Sequence, residues 1–384
     1  MILPPHTARA RQLLRAAADL FGTRGYAAVG MDDIAARVGT TGPSIYRHFD
    51  TKYDLLTTLH LAAARRLTRG VSEDDPLSIR TLAASAVAVR RSLGTFRRDR
   101  HHLLDSDKET VGAALTTVYR SLSRTVRSGR PDLSPSGLDN LTLSVMSLAS
   151  SIGTHRTALA AGATTALMAG TANRVLSVTM SDRTTTSGEP PIAGIAPVGR
   201  RESLLGAASV LFDARDPADV AVTDIAAAVG LAPATIYRYF GSKTAILSEL
   251  CSGAARRSAE STARILAGTG DPHRALTELI RARAADSALS PTPRVLRRHL
   301  MVVDASTRRA LVHMARQERA EWLNLLTLIR PDVGRVHAAF MVEAAFTMID
   351  DMAGSLSPDV LEPLIAAVFD IDQRPETLPR PVTG

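Results

Sequence analysis

The chain has 384 residues, 45% of them hydrophobic and 4% aromatic, with a formal net charge of +8. That length exceeds one ordinary core and suits two or more domains, and abundant Ala and Leu with few aromatics favour helices over sheets. A lone Cys251 excludes a disulfide framework or cysteine metal cluster; with no 18-residue apolar run and no signal peptide in MILPPHTARA, a cytoplasmic protein without membrane association is expected.

Residues 8–21, ARARQLLRAAADLF, put Leu13, Leu14, Ala17, Leu20 and Phe21 on one face and predict a first helix. After the turn-rich GTRGYAAVG, a second helix is expected from about Met31, with Asp32 and Asp33 at its positive dipole end. Ile34, Ala35 and Val38 point inward, and Gly39 supplies the stop. A third helix follows TTGP, and two short helices across a tight glycine-bearing turn read as a helix-turn-helix.

In the third helix Ile45 and Phe49 face the core, while Thr41, Ser44 and His48 face outward at spacings of three and four. Short polar side chains there can approach base edges in a major groove. Tyr46 and Arg47 flank this face and suit phosphate oxygens, and Lys52 opens the next helix, whose N-terminus can share a phosphate with its ammonium. The plain alternative for one such copy is a helical hairpin with ordinary packing.

Beyond Lys52, Leu55, Leu56, Leu59 and Ala63 continue the helical period. RRDR (97–100) reads as a solvated charge run. His101-His102 with Asp105, and His299 with Asp304, invite a metal reading, but neighbouring histidines on a helix diverge and no second ligand cluster supports them, so no metal is expected. LTLSVMSLASSIG (141–153) and HAAFMVEAAFTMIDDMAG (337–354) are rich in small residues and are expected to pack on both sides. SDRTTTSGEPPIAGIAPVG (181–199) reads as a linker, and RPETLPRPVTG as a tail.

After the linker the first pattern returns. At a shift of 191, Asp33–Leu56 aligns with Asp224–Leu247 without a gap, and 12 of the 24 positions are identical. AAADLF (16–21) matches AASVLF (207–212); further on, HLLDSD (102–107) resembles HLMVVD (299–304), and RPDL (130–133) matches RPDV (330–333). Three of the 46 basic residues are lysines, and two of these, Lys52 and Lys243, fall at the same position of the repeat. With Tyr46/Tyr237 and Arg47/Arg238 also kept at exposed positions, the repetition favours function over packing.

These residues resemble the DNA-binding domain of the tetracycline-repressor (TetR) family. The first copy supplies Leu20-Phe21, Gly25-Tyr26, Asp33-Ile34-Ala35, Gly39, Ser44-Ile45-Tyr46, His48-Phe49, Lys52 and Leu56; the second supplies Leu211-Phe212, Asp224-Ile225-Ala226, Gly230, Thr235-Ile236-Tyr237, Tyr239-Phe240, Lys243 and Leu247. The resemblance implies an all-α fold of two tandem modules, each a helix-turn-helix domain followed by a helical domain for ligand binding and dimerisation. It divides the chain into a first head (1–56), a first body (57–180), the linker (181–199), a second head (200–247), a second body (248–375) and a tail (376–384).

It further implies DNA contacts through Thr41, Gly42, Pro43, Ser44, Tyr46, Arg47, His48 and Lys52. The matching positions of the second head are Ala232, Pro233, Ala234, Thr235, Tyr237, Arg238, Tyr239 and Lys243. The expected partners are an operator duplex and a small-molecule effector, with no cofactor. The expected role is a repressor working as an intramolecular pseudo-dimer, open to further homodimerisation. Pocket candidates are Tyr119, Trp322, Phe340, Met341 and Phe346, with core packing as the alternative for each.

Two departures stand out. Gly30 and Ala221 occupy the cap of the second helix where the family has Ser or Thr, so a looser helix start is expected. The second head replaces Gly-Tyr by Asp216-Pro217 and carries five basic and five acidic residues over 198–247, against seven and five over 1–56. It is expected to bind more weakly, with a purely structural second copy as the alternative. A small-molecule-binding or assembly protein is the rival reading of the whole; no catalytic constellation supports an enzyme.

Overall fold

The computed structural model describes residues 7–69, 71, 77–154, 159–180 and 199–371; the expected linker, apart from Gly199, and the tail lie outside the described residues. In the first repeat the helices are α1 (Ala8–Arg24), α2 (Met31–Arg37), α3 (Gly42–Ile45), α4 (Lys52–Thr68), α5 (Ile79–Ala88), α6 (Arg90–Asp99), α7 (Asp105–Gly129), α8 (Pro135–Ser151) and α9 (Ala161–Leu176). The second repeats the order as α10 (Arg200–Ala214), α11 (Val222–Ala228), α12 (Pro233–Ile236), α13 (Lys243–Gly268), α14 (Pro272–Leu289), α15 (Thr292–His299), α16 (Ala305–Ile329), α17 (Arg335–Met352) and α18 (Pro358–Phe369).

The register between the copies changes along the chain. From α1 to α4 the shift is 191, but α13 runs 26 residues where α4 has 17, and α7 and α16, both 25 residues long, stand 200 apart. The likeness of HLLDSD to HLMVVD, at a shift of 197, is therefore off register. Arg98 and Arg298 do the same work, each donating to carbonyls at the end of the first helix of its module, and Leu103 and Val303 are both buried. The RPD match is in register: Arg130 binds Asp132 and the Leu176 carbonyl at the end of α9, while Arg330 binds Asp332 and the Asp370 carbonyl at the end of α18.

Three apolar cores result. Leu13, Phe21, Ile34, Ile45, Leu55 and Leu56 fill the first head; Leu204, Phe212, Ile225, Ile236, Ile246 and Leu247 fill the second. Burying each such side chain contributes roughly 1.5–3 kcal/mol before chain entropy is subtracted. The third core is continuous through both bodies, from Leu122, Leu141 and Leu148 to Trp322, Phe346 and Leu364. It is continuous because α8 packs on α17 and α9 on α18, while α6 meets α15. Each helix faces its own counterpart, the arrangement of an isologous two-fold interface made within one chain.

The small residues of α8 permit this approach. Ser144 and Thr142 are buried yet satisfied, their hydroxyls donating to the carbonyls four residues back. Across the interface Thr154 and Thr347 hydroxyls lie 3.3 Å apart. Among the described residues no helix is long and apolar enough to cross a membrane.

Candidate nucleic-acid interface

Each reading helix is short, a single α-turn at Gly42–Ile45 or Pro233–Ile236, extended by tight turn bonds such as His48 N–H to Ile45 and Tyr239 N–H to Ile236. Ile45 and Ile236 are fully buried, and Phe49 and Phe240 nearly so, which anchors the inward side. Thr41, Pro43, Tyr46 and Arg47 are exposed, and Gly42, Ser44 and His48 half-buried. In the second head Ala232, Pro233, Ala234, Tyr237 and Arg238 are exposed, and Thr235 and Tyr239 half-buried. Tyr46 and Tyr237 are 52% and 62% exposed, large rings held in solvent on both heads.

The turn before each reading helix is built identically. Gly39 (φ +67°) and Gly230 (φ +68°) take the left-handed conformation. The next N–H groups, of Thr40 and Leu231, reach the carbonyls of Ala35 and Ala226 at 3.0 and 2.9 Å. No heavy atom would meet a Cβ at Gly39, so Gly39→Ala isolates the conformational cost, about 1 kcal/mol. Urea unfolding of this variant is expected to show a lower midpoint at unchanged slope.

The missing caps of α2 and α11 are offset from the other side. Asp33 and Asp224 accept the N–H groups of Gly30 and Ala221 at 2.8 and 3.2 Å. Arg24 and Arg215 brace the same carboxylates at 3.0 and 3.3 Å. The Gly30 N–H bond, and then Arg24, hold the Asp33 carboxyl below its usual range. The helix starts are thus fixed by their third residue rather than loosened.

The repeated lysines have partners within the fold. Lys52 Nζ donates to the Tyr26 carbonyl at 3.1 Å and lies 4.4 Å from the Tyr26 ring centre. Lys243, with Pro217 where the first head has Tyr26, donates to the carbonyls of Ala218 (3.2 Å) and Val220 (2.8 Å). Burial lowers the Lys52 pKa from its ordinary value. Both ammonium groups tie the start of the fourth helix of their module to the connector before its second.

One residue of the first reading face escaped the sequence. The exposed Asp32 sits so close to Gly42 that any Cβ there would collide with its carboxylate. It places a carboxylate against Gly42 at the start of the short third helix. Thr223 stands at that position in the second head, and Ala228 at that of the exposed Arg37. The two heads therefore share a frame and differ in what they present.

The pocket candidates separate. Trp322 and Phe346 pack edge to face, centroids 4.7 Å apart, with Phe340 and Met341 buried in the same core. The guanidinium groups of Arg283 and Arg319 lie 4.2 and 4.6 Å from the Phe346 ring centre. Tyr119 lies apart, half-buried on α7, bonded through its hydroxyl to Asp139; burial, then Asp139, push its pKa up to about 12. Among the described residues the first body includes the following two concavities. A cavity of about 10 Å³ between α5, α8 and α9 is lined by apolar residues including Leu82, Val145 and Met168, and an open cleft of about 420 Å³ is edged by Arg66, Arg69, Arg80 and Thr81.

His102 and His299 have partners within the fold. His102 packs on Tyr26, ring centres 4.9 Å apart, and His299 Nε2 lies 3.0 Å from the Phe212 carbonyl. Asp304 caps α16 through the N–H groups of Ser306 and Thr307; hydrogen bonds from the Ser306 side chain first, then from Thr307 and Ser248, hold its carboxyl far below the usual range. Among the described residues no three His, Cys, Asp or Glu side chains are grouped so as to hold a metal ion.

Two helix-turn-helix heads on paired helical bodies define a two-headed, all-α protein of the nucleic-acid-reading type. Residues 13–59 and 204–250 each match the family described as "Bacterial regulatory proteins, tetR family", so the chain carries two tandem copies of that family's N-terminal domain. Over 92 residues, 24% of the chain, it is 35% identical to the HTH-type transcriptional activator FasR of Mycolicibacterium smegmatis. That match spans 40% of the relative's length. A TetR-family regulator from Bordetella parapertussis aligns at 23% identity and a TM-score of 0.43, over 46% of this chain and 96% of its own. PfmR of Thermus thermophilus aligns at 23% identity and 0.38, over 44% and 94%.

Proposed function

We propose that the chain is an effector-responsive, DNA-binding transcriptional regulator that acts as a single-chain pseudo-dimer on an operator with two unequal halves. The observation that carries this reading is the pairing of α8 with α17 and α9 with α18, which gives two outwardly similar heads one common body. Two-fold dimers of helix-turn-helix proteins place their reading helices in successive major grooves, about one helical turn apart. Here the two halves belong to one polypeptide and are free to diverge. Thr41/Ala232, Gly42/Pro233 and His48/Tyr239 have done so on the reading face.

The resemblance implied a repressor, whereas the FasR relative is named an activator. The proposal is accordingly for a regulator whose sign depends on where its operator lies relative to the promoter. Effector response rests on the family's use of its helical body.

Binding to duplex DNA from the chain's own promoter region, measured across a salt series, tests the reading. A specific regulator prefers that duplex over random sequence by roughly 10³-fold or more at physiological salt and loses affinity steeply as salt rises. Equal affinity for any duplex, or none, contradicts it and favours the small-molecule-binding or assembly alternative.

A further inference from the structure

We propose that Asp351 is a positioning residue shared by both heads, a single carboxylate near the pseudo-two-fold axis that fixes where the two reading helices stand relative to each other. The inference rests on the two-headed DNA-binding reading for its consequence, but its geometry stands independently.

Arg97, on α6 of the first module, forms a two-pronged pair with Asp351 on α17 of the second, both bonds 2.7 Å long. Ser147 of α8 donates to the same carboxylate at 2.7 Å, and Ser150 accepts from Arg97 at 2.8 Å. From the second module Arg297 of α15 approaches Asp351 at 3.8 Å and the adjacent Asp350 at 3.3 Å. Asp350 also receives Arg283 at 2.9 Å, and Arg283 binds Glu318 at 3.0 Å. Three arginines thus meet three carboxylates, and the Arg97 and Asp351 side chains are only 15% and 26% exposed. Poor solvation makes such a two-pronged arginine pair stiff as well as strong.

The residue after each of these arginines holds a head. Arg98 donates to the Phe21 and Gly22 carbonyls at the end of α1, the latter at 3.0 Å. Arg298 donates to the Asp213 carbonyl at the end of α10. Each head is thus tied to an arginine pair whose first member points to the axis and whose second grips the head's first helix. Both pairs converge on the adjacent Asp350 and Asp351, Arg97 bonded to Asp351 and Arg297 between the two carboxylates.

A carboxylate in this place suits only a fused pair of modules. Asp350 and Asp351 correspond, at the shift of 200, to Ser150 and Ser151 in the first module. A dimer of two first modules would bring two Arg97 groups to the axis with no acid. A dimer of two second modules would bring six carboxylates there against four arginines. One module of each kind gives a balanced site.

The test uses the full chain with spin labels on Gln12→Cys and Val210→Cys, exposed positions of α1 and α10. The native Cys251 is fully buried, with burial pushing its pKa up to about 12, and does not compete for label. The DNA probe is the duplex this protein selects from a random pool, used whole and cut into halves. Asp351→Asn is expected to broaden the head-to-head distance distribution. It should lower affinity for the whole duplex about tenfold or more, through lost avidity, with affinity for each half within about twofold of the parent. Asp351→Glu is expected to restore most of that loss.

Should Asp351→Asn lower the folded fraction, Arg97→Gln removes the cross-module pair while leaving Asp351 with Ser147 and Arg297. An unchanged distance distribution, or whole and half duplexes weakened alike, overturns the proposal. If the parent chain selects no duplex, the DNA-binding reading falls, and the distance distribution alone decides whether Asp351 sets the head positions.

Discussion

Changing Ser44, Tyr46 and Arg47 together to alanine is expected to weaken binding to the selected duplex by about a hundredfold or more. The corresponding change of Thr235, Tyr237 and Arg238 is expected to cost about tenfold. A lost base contact removes roughly 1–3 kcal/mol, and each lost phosphate contact lowers the salt slope by about one. The first head has more to lose. Its reading helix carries Thr41, Ser44 and His48, Asp32 abuts Gly42 at its start, and an exposed Arg37 stands on the preceding helix. The second head offers Ala232, Pro233 and Ala234 in a neighbourhood with no net charge. These substitutions leave the head cores and the lysine-to-carbonyl bonds untouched, so unfolding midpoints should stay near the parent's. Titration of each variant across salt reads affinity and slope together; equal losses from the two heads would remove the asymmetry.

The second large effect is expected from Gly153→Ala. Gly94 of α6 and Gly153, just past α8, touch backbone to backbone. A Cβ on Gly153 would stand 2.7 Å from the Leu93 carbonyl carbon and 2.8 Å from Gly94 Cα. Those atoms are main chain, and no side-chain rotation relieves the clash, so α6 must move away from α8. The expected cost is about 1–3 kcal/mol or slightly more, as for other overpacked sites, or roughly 2–12 °C in melting temperature for a domain of this size. Because α6 also carries Arg97 and Arg98, the shift should weaken whole-duplex binding beyond what lost stability explains. Gly112→Ala, at an open position of α7 with nothing within 4 Å, is the matched control and should be neutral or slightly stabilising. Equal melting temperatures for the two variants would show that the backbone contact is not held in solution.

The heads were legible because every local signal agreed. Periodic leucines, first-turn aspartates, Gly39 at a helix stop and buried Ile45 and Phe49 all specify the same short helices, and the second copy repeats them. The lysines were half legible. Their repetition marked them as important, but only the structure shows Nζ on connector carbonyls. The bodies were less so. A six-letter likeness fixed the wrong register because nine extra residues of α13 lie between the head and the next recognisable match. The shared carboxylate left no trace in the sequence: Arg97 and Asp351 are 254 residues apart, and the counterpart of Asp351 is a serine.

The number of chains on one duplex tests the single-chain, two-headed arrangement most directly. The duplex selected by the protein, footprinted and weighed as a complex by native mass spectrometry, should carry one chain and show two protected segments about one helical turn apart. Two chains on each duplex, with a single chain protecting no more than one segment, would contradict it.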